Sequence, residues 1–222
     1  IIESNGFAPL VAHAPYTLNL CSEKEDIREF AFNTMKDDLK RMEYLPGNYY
    51  NFHPGSHRDQ GSEKGIELIS TALRELLKEA VHTTVLLETM AGKGTEVGRD
   101  FYELKAILDE TAEPEKTGIC FDTCHVFDGG YDIKEGLEKV LEEFDSIIGT
   151  DRIKAVHIND TKNPMGSHKD RHEKIGQGAL GIEALGRVVR CDSFKGLPFI
   201  LETPNELEGY AEEIRILREI AG

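Results

Sequence analysis

The chain has 222 residues, 39% of them hydrophobic and 30% charged, and its 26 basic and 41 acidic side chains leave a formal charge of −15. It is long enough for one substantial α/β core, has no run of about 18 apolar residues that would span a membrane, and shows no secretory leader. The acidity argues against adhesion to nucleic acid through the whole surface, although carboxylates that hold metal ions have their local charge reversed and a small basic rim can still position a phosphate backbone.

The first predicted strand, residues 8–13, ends on His13. Pro15 then fixes the turn, and Tyr16 projects from the strand-end loop toward a substrate or packs against its neighbours. Residues 23–43 carry Ile27, Phe30, Phe32, Met35, Leu39 and Met42 at helical spacing, and Pro46-Gly-Asn48 breaks the pattern. A second strand, residues 49–53, ends on His53; His57 lies further into the following loop, so His53 is the better-fixed ligand. Residues 63–80 read as a helix with Ile66, Ile69, Leu73, Leu76 and Leu77 on its apolar face.

The third strand, residues 84–88, ends on Glu88 and opens into a glycine-rich loop, residues 89–95, which lacks the glycine spacing of a phosphate-binding P-loop. A helix over 98–110 leads to Thr117-Gly-Ile-Cys-Phe-Asp-Thr-Cys-His125, in which Asp122 ends a strand and His125 follows in a loop. Asp128 falls in a turn and is set aside as a ligand, and Asp132 is placed to cap the helix containing Leu137, Val140, Leu141 and Phe144. A fifth strand, 153–157, ends on His157. The long loop 158–172 then closes on Asp170-Arg-His172, whose acid and imidazole converge on one ion if the backbone is locally extended, with Arg171 aimed at a phosphate or a supporting acid. A helix over 180–190, a sixth strand over 198–202 ending on Glu202, and a helix over 207–220 complete the chain. Cys21, Cys120, Cys124 and Cys191 form no disulfide framework and read as reduced thiols.

Six strand candidates thus finish on imidazole or carboxylate, the pattern of a parallel barrel whose C-terminal strand ends carry the active site. No linker or second-domain boundary interrupts residues 1–222. His13, His53, Glu88, Asp122, His125, His157, Asp170, His172 and Glu202 are more ligands than one ion needs, and three ions sharing a bridging carboxylate would use them all. Their nitrogen and oxygen donors suit zinc, with manganese or iron as chemical alternatives. Such a centre fits phosphodiester hydrolysis. A two-metal sugar isomerase is the rival reading, though it would need fewer ligands.

Several of these stretches resemble the endonuclease IV family of apurinic/apyrimidinic endonucleases: His13-Ala-Pro-Tyr16, Asn51-Phe-His-Pro-Gly-Ser-His57, Leu87-Glu-Thr-Met-Ala-Gly-Lys-Gly94, Phe121-Asp-Thr-Cys-His125, Val156-His-Ile-Asn-Asp160, Gly166-Ser-His-Lys-Asp-Arg-His-Glu-Lys-Ile-Gly-Gln-Gly178 and Leu201-Glu-Thr-Pro204. The resemblance implies a TIM-type (β/α)8 barrel, three zinc ions per chain, and cleavage of double-stranded DNA on the 5′ side of abasic sites. Carried over by position, His13 and His53 hold a first ion, and Glu88 bridges it to a second. Asp122, His157 and Glu202 complete the second, and His125, Asp170 and His172 hold the third. Glu202 and Glu88 are the expected catalytic carboxylates. Tyr16 is the expected contact to DNA beside the flipped sugar, and Arg171 a further DNA contact. The resemblance also implies a cytoplasmic setting, or a nuclear one in a eukaryote.

Members of that family carry two β/α units before the strand matching residues 8–13, so the expectation here is a barrel without its first two β/α units, with an open side available for self-association. His168 stands where the family commonly has arginine.

Overall fold

The computed structural model describes Ser4 and residues 8–222. The chain forms two compact units, one comprising the residues up to Met90 with Gly94–Cys120, the other Ala91–Lys93 with Phe121–Gly222.

In the first unit, β1 (Val11–His13), β2 (Tyr49–Phe52), β3 (Thr84–Glu88) and the start of β4 (Thr117–Asp122) run parallel. The register sets His13 beside Asn51, Phe52 beside Leu87, and Glu88 beside Cys120. The apolar runs are buried on both faces, as parallel strands require: Tyr50, Phe52, Val85, Leu86, Leu87 and Ile119 are all core residues. Helices α1 (Glu25–Met42), α2 (Ser62–Leu76) and α3 (Phe101–Thr111) make the crossovers. On α2 the buried Ile66, Ile69, Leu73 and Leu76 lie three or four residues apart on one stripe, the spacing of a single helix face.

In the second unit, the end of β4 is followed by β5 (Ile153–His157), a two-stranded antiparallel ribbon of β6 (Asp160–Thr161) and β7 (His172–Glu173), and β8 (Phe199–Ile200), which pairs parallel with β5. Its helices are α4 (Thr123–Asp128), α5 (Leu137–Ile147), α6 (Gly181–Arg190) and α7 (Leu207–Ala221). Phe121 packs against Phe144 and Phe194, with ring centroids 6.2 and 5.3 Å away. Among the described residues the strand order β1-β2-β3-β4-β5-β8 is that of a (β/α) barrel. The α/β barrel expectation is borne out. No helix among the described residues is long and apolar enough to cross a membrane, and all four cysteines are free thiols.

Several predicted boundaries shift for identifiable reasons. The segment after Asp122 is a short helix rather than a loop, because the Asp122 carboxylate accepts the His125 N–H at 2.7 Å and caps it. The helix placed over 98–110 starts at Phe101, where Asp100 accepts the Glu103 N–H at 2.8 Å. Asp132 does not cap α5: its carboxylate accepts from Glu135 N in the preceding turn, and Gly136 occupies the cap position. The strand predicted over 198–202 is reduced to Phe199–Ile200, because the Glu202 N–H bonds a side chain, Asn159 Oδ1 at 2.8 Å, instead of a neighbouring strand.

The connection between β5 and α6 is held by two buried acids. Asp160 accepts five backbone N–H groups, those of Thr161, Gly176, Gly178, Leu180 and Gly181. Residue 178 must be glycine, since a Cβ there would collide with that carboxylate and with the Thr161 carbonyl. Asp128 is fully buried rather than poised in a mobile turn, and accepts from the Thr161 hydroxyl at 2.8 Å and the Asp170 N–H at 3.0 Å. Replacing Asp160 with Asn keeps the shape but turns one acceptor oxygen into a donor facing buried amides. Urea unfolding of Asp160→Asn is expected to show a loss on the order of 3 kcal/mol, against less than about 0.5 kcal/mol for a surface change such as Glu142→Gln.

Candidate metal centre

Each unit gathers its own set of candidate ligands. In the first, β1 ends on His13, His53 follows directly after β2, and β3 ends on Glu88. Glu88 is fully buried, and its Oε2 lies 3.0 Å from His13 Nε2 and 3.4 Å from His53 Nε2. Asn51 Nδ2 donates to the same oxygen at 2.5 Å. His13 Nδ1 sits 2.6 Å from the Ala14 carbonyl, which fixes the proton on Nδ1 and turns the Nε2 lone pair toward Glu88. The two imidazole rings meet edge to face, 5.1 Å apart. His57 lies outside this group; its Nδ1 accepts the Gly61 N–H at the start of α2.

In the second unit, His125 from α4 and Asp170 and His172 from the loop and β7 form one group. His125 Nε2 is 3.0 Å from Asp170 Oδ1, and His172 Nε2 is 3.6 Å from the same oxygen. Asp170 does not reach this position from an extended backbone: its φ is +53°, in the left-handed region that Asp tolerates better than most residues. Asp122, His157 and Glu202 form a neighbouring group. His157 Nδ1 lies 3.1 Å from Glu202 Oε2 and 3.8 Å from Asp122 Oδ2. Asp122 is fully buried, whereas the Glu202 side chain is 31% exposed.

These residues suit divalent cations. His172 Nδ1 faces the Glu202 carbonyl at 3.1 Å, so its Nε2 carries the lone pair. That Nε2 is buried and makes no hydrogen bond, and it points between Asp170 and Asp122 at 3.6 and 3.9 Å. A lone pair aimed at two carboxylates is repulsive without a proton or a cation between them. Burial would raise the Asp170 carboxyl, but with protons on the imidazoles in place of a cation the hydrogen bond and charge of His125, then the charges of His172 and Lys93, outweigh it and hold the carboxyl at about 2. Burial, followed by the charge of Asp122, pushes the Cys124 thiol far above its usual range, so it stays a neutral packing group.

Tyr16 is 79% exposed at the rim of a cleft of about 150 Å³ in the first unit, lined also by Asn19, His53, Ser56, Met90 and Glu96. Arg171 is exposed, and its guanidinium donates to the Asp170 carbonyl at 2.7 Å. His168 Nδ1 contacts the Ala91 carbonyl at 2.7 Å. Sequence reasoning missed Asn51 and Asn159, whose amides donate to the two buried carboxylates Glu88 and Asp122. Their signal was a spacing of two from a candidate ligand at a strand end, Asn51 before His53 and Asn159 after His157.

A parallel β/α sheet whose strand ends gather imidazoles and carboxylates is the arrangement of a metal-binding protein of the TIM-barrel class. A family profile described as a xylose isomerase-like TIM barrel matches residues 1–220. The chain is 57% identical over 220 residues to a Clostridium beijerinckii protein named probable endonuclease 4, an alignment spanning 99% of this chain and 79% of that protein. The crystal structure of endonuclease IV from Thermus thermophilus superposes with a TM-score of 0.86 at 35% identity, over 98% of this chain and 77% of that one. A structure of the IolI protein with a bound zinc atom, 20% identical with a TM-score of 0.69 over 96% of this chain and 75% of its own, shares the fold alone. The chain belongs to the endonuclease IV family of AP endonucleases.

Metal and stability are therefore linked. Protein stripped by a chelator is expected to melt at lower temperature than metal-loaded protein, with about 4 kcal/mol restored at a free-metal concentration about 1,000 times the Kd. Differential scanning calorimetry with added Co2+ checks this; a melting temperature indifferent to metal contradicts it.

Proposed function

We propose that this chain is a metal-dependent endonuclease that hydrolyses the phosphodiester on the 5′ side of abasic sites in double-stranded DNA. The observation that carries the reading is the set of buried and half-buried His and carboxylate groups, gathered at strand ends and the loops beyond them, in a chain 57% identical to a protein named probable endonuclease 4. Three zinc ions per chain account for the donors: one at His13, His53 and Glu88, one at Asp122, His157 and Glu202, and one at His125, Asp170 and His172. The chemistry such ions supply when bound is charge neutralisation at phosphate oxygens and a lowered pKa of water.

The chain's own groups divide the remaining work by their exposure. Glu88 and Asp122 are sealed from solvent and serve as fixed carboxylates. Glu202, with its side chain 31% exposed and backed by His157 at 3.1 Å, is the carboxylate able to reach a water and accept its proton. Tyr16 and Arg171 are exposed groups suited to contacting the sugar and the phosphate backbone.

Replacing Glu202 with Gln keeps the shape and removes the proton acceptor. Single-turnover cleavage of a 5′-labelled abasic duplex is expected to slow by about 10²–10⁴-fold. Cleavage near the wild-type rate would remove Glu202 from the chemistry. Elemental analysis of folded protein is expected to approach three zinc ions per chain, and a reproducible maximum of one would overturn the assignment of three ions.

A further inference from the structure

Asn159 lies two residues beyond the end of β5, is fully buried, and joins two ligand-bearing segments of the second unit. Its Nδ2 donates to Asp122 Oδ2 at 2.7 Å, and its Oδ1 accepts the Glu202 N–H at 2.8 Å. Its backbone is clamped in turn: the Asn159 N–H donates to Thr123 Oγ1 at 2.8 Å, and the Thr123 hydroxyl donates to the Asn159 carbonyl at 2.7 Å. Asp122 Oδ1 is meanwhile held by the His125 N–H at 2.7 Å, so both carboxylate oxygens are oriented by N–H groups.

The chemistry of this position is narrow. A carboxamide offers one donor edge and one acceptor edge on a short planar group, which a carboxylate, a hydroxyl or an aliphatic side chain does not. β8 is two residues long and Glu202 lies beyond it, so the sheet ladder does not set the Glu202 backbone. The Asn159 carbonyl oxygen holds that backbone instead.

We propose that Asn159 is a positioning residue for the metal centre, fixing the carboxylate plane of Asp122 and the backbone from which Glu202 projects, so that an ion meets Asp122, His157 and Glu202 already arranged. This rests on the metal-centre reading above. The role is one of geometry, because Asn159 touches the ligands and not the substrate. Outer groups that orient ligands typically change metal affinity by about 10–100-fold when removed.

The test uses Co2+, whose visible absorption reports ligand number and geometry, on the full chain as wild type, Asn159→Ala and Thr123→Val. Asn159→Ala is expected to keep its far-ultraviolet circular dichroism, to bind its weakest Co2+ about 10–100-fold less tightly, and to show an altered visible band. Thr123→Val is isosteric and loosens only the Asn159 backbone, so it is expected to shift the band in the same direction by a smaller amount. A purely structural role would lower the melting temperature of the metal-free protein while leaving the Co2+ affinity and spectrum of the folded protein as in wild type, and that result overturns the proposal. Should Asn159→Ala fail to fold, an unchanged spectrum in Thr123→Val overturns it equally. Wild type that takes up no Co2+ would overturn the metal-centre reading and this proposal together, whereas normally loaded wild type matched by both variants would overturn the role of Asn159 alone.

Discussion

Two carboxylates, Glu88 in the first unit and Asp122 in the second, are sealed from water at strand ends, and the arrangement of each unit's group follows from that burial. A buried carboxylate costs several kcal/mol unless N–H donors or a cation compensate it. The chain supplies donors by the same device twice. In the first unit the Asn51 amide, two residues before His53, meets Glu88; in the second the Asn159 amide, two residues after His157, meets Asp122. In both places one short segment at a strand end presents an imidazole and, two residues away, the amide that steadies a buried acid. Backbone carbonyls beside Nδ1 of His13 and of His172 then turn the Nε2 lone pairs toward the acids. What remains is an excess of lone pairs, the electrostatic condition that a divalent cation satisfies.

The loop carrying Asp170 and His172 obeys a different constraint. It lacks the apolar density of the sheet and is organised by buried acids that collect backbone amides: Asp160 over residues 161–181, and Asp128 at Asp170. Left-handed backbone at His168 and Asp170 is tolerated within that framework, and the Asp128 carboxylate accepts the N–H of the strained Asp170 directly. From α7, Glu213 reaches back to the Ile175 N–H and the Thr203 hydroxyl, so a terminal helix also steadies the backbone next to Glu202. A net charge of −15 is consistent with this economy, because several acids are consumed as acceptors inside the fold instead of being displayed on its surface.

Much of the architecture could be read directly from the residues. Apolar runs ending on Glu88 and His157 identified strands because both faces of a parallel strand are buried and the run stops where the loop begins. The stripe of Ile66, Ile69, Leu73 and Leu76 identified α2 by its period. His53 directly follows β2 and lies 3.4 Å from Glu88, whereas His57 lies further into the loop and serves the start of α2. Local chemistry alone was sufficient for these.

Other features depend on partners remote in sequence, and only the tertiary structure decided them. Whether Asp128 was a mobile turn residue or a buried anchor turned on Thr161 and Asp170, more than thirty positions away. The short helix after Asp122, the ribbon between β6 and β7, and the truncation of β8 each arose because a side chain displaced an expected backbone partner or because a distant strand supplied a new one. The imidazoles and carboxylates and the strand ends that carry most of them were written in the sequence, since hydrophobic period and residue chemistry are local. Which acid faces which imidazole, and which amide holds it there, was decided by the fold, since those distances depend on strand register and on loop backbone that no local pattern encodes.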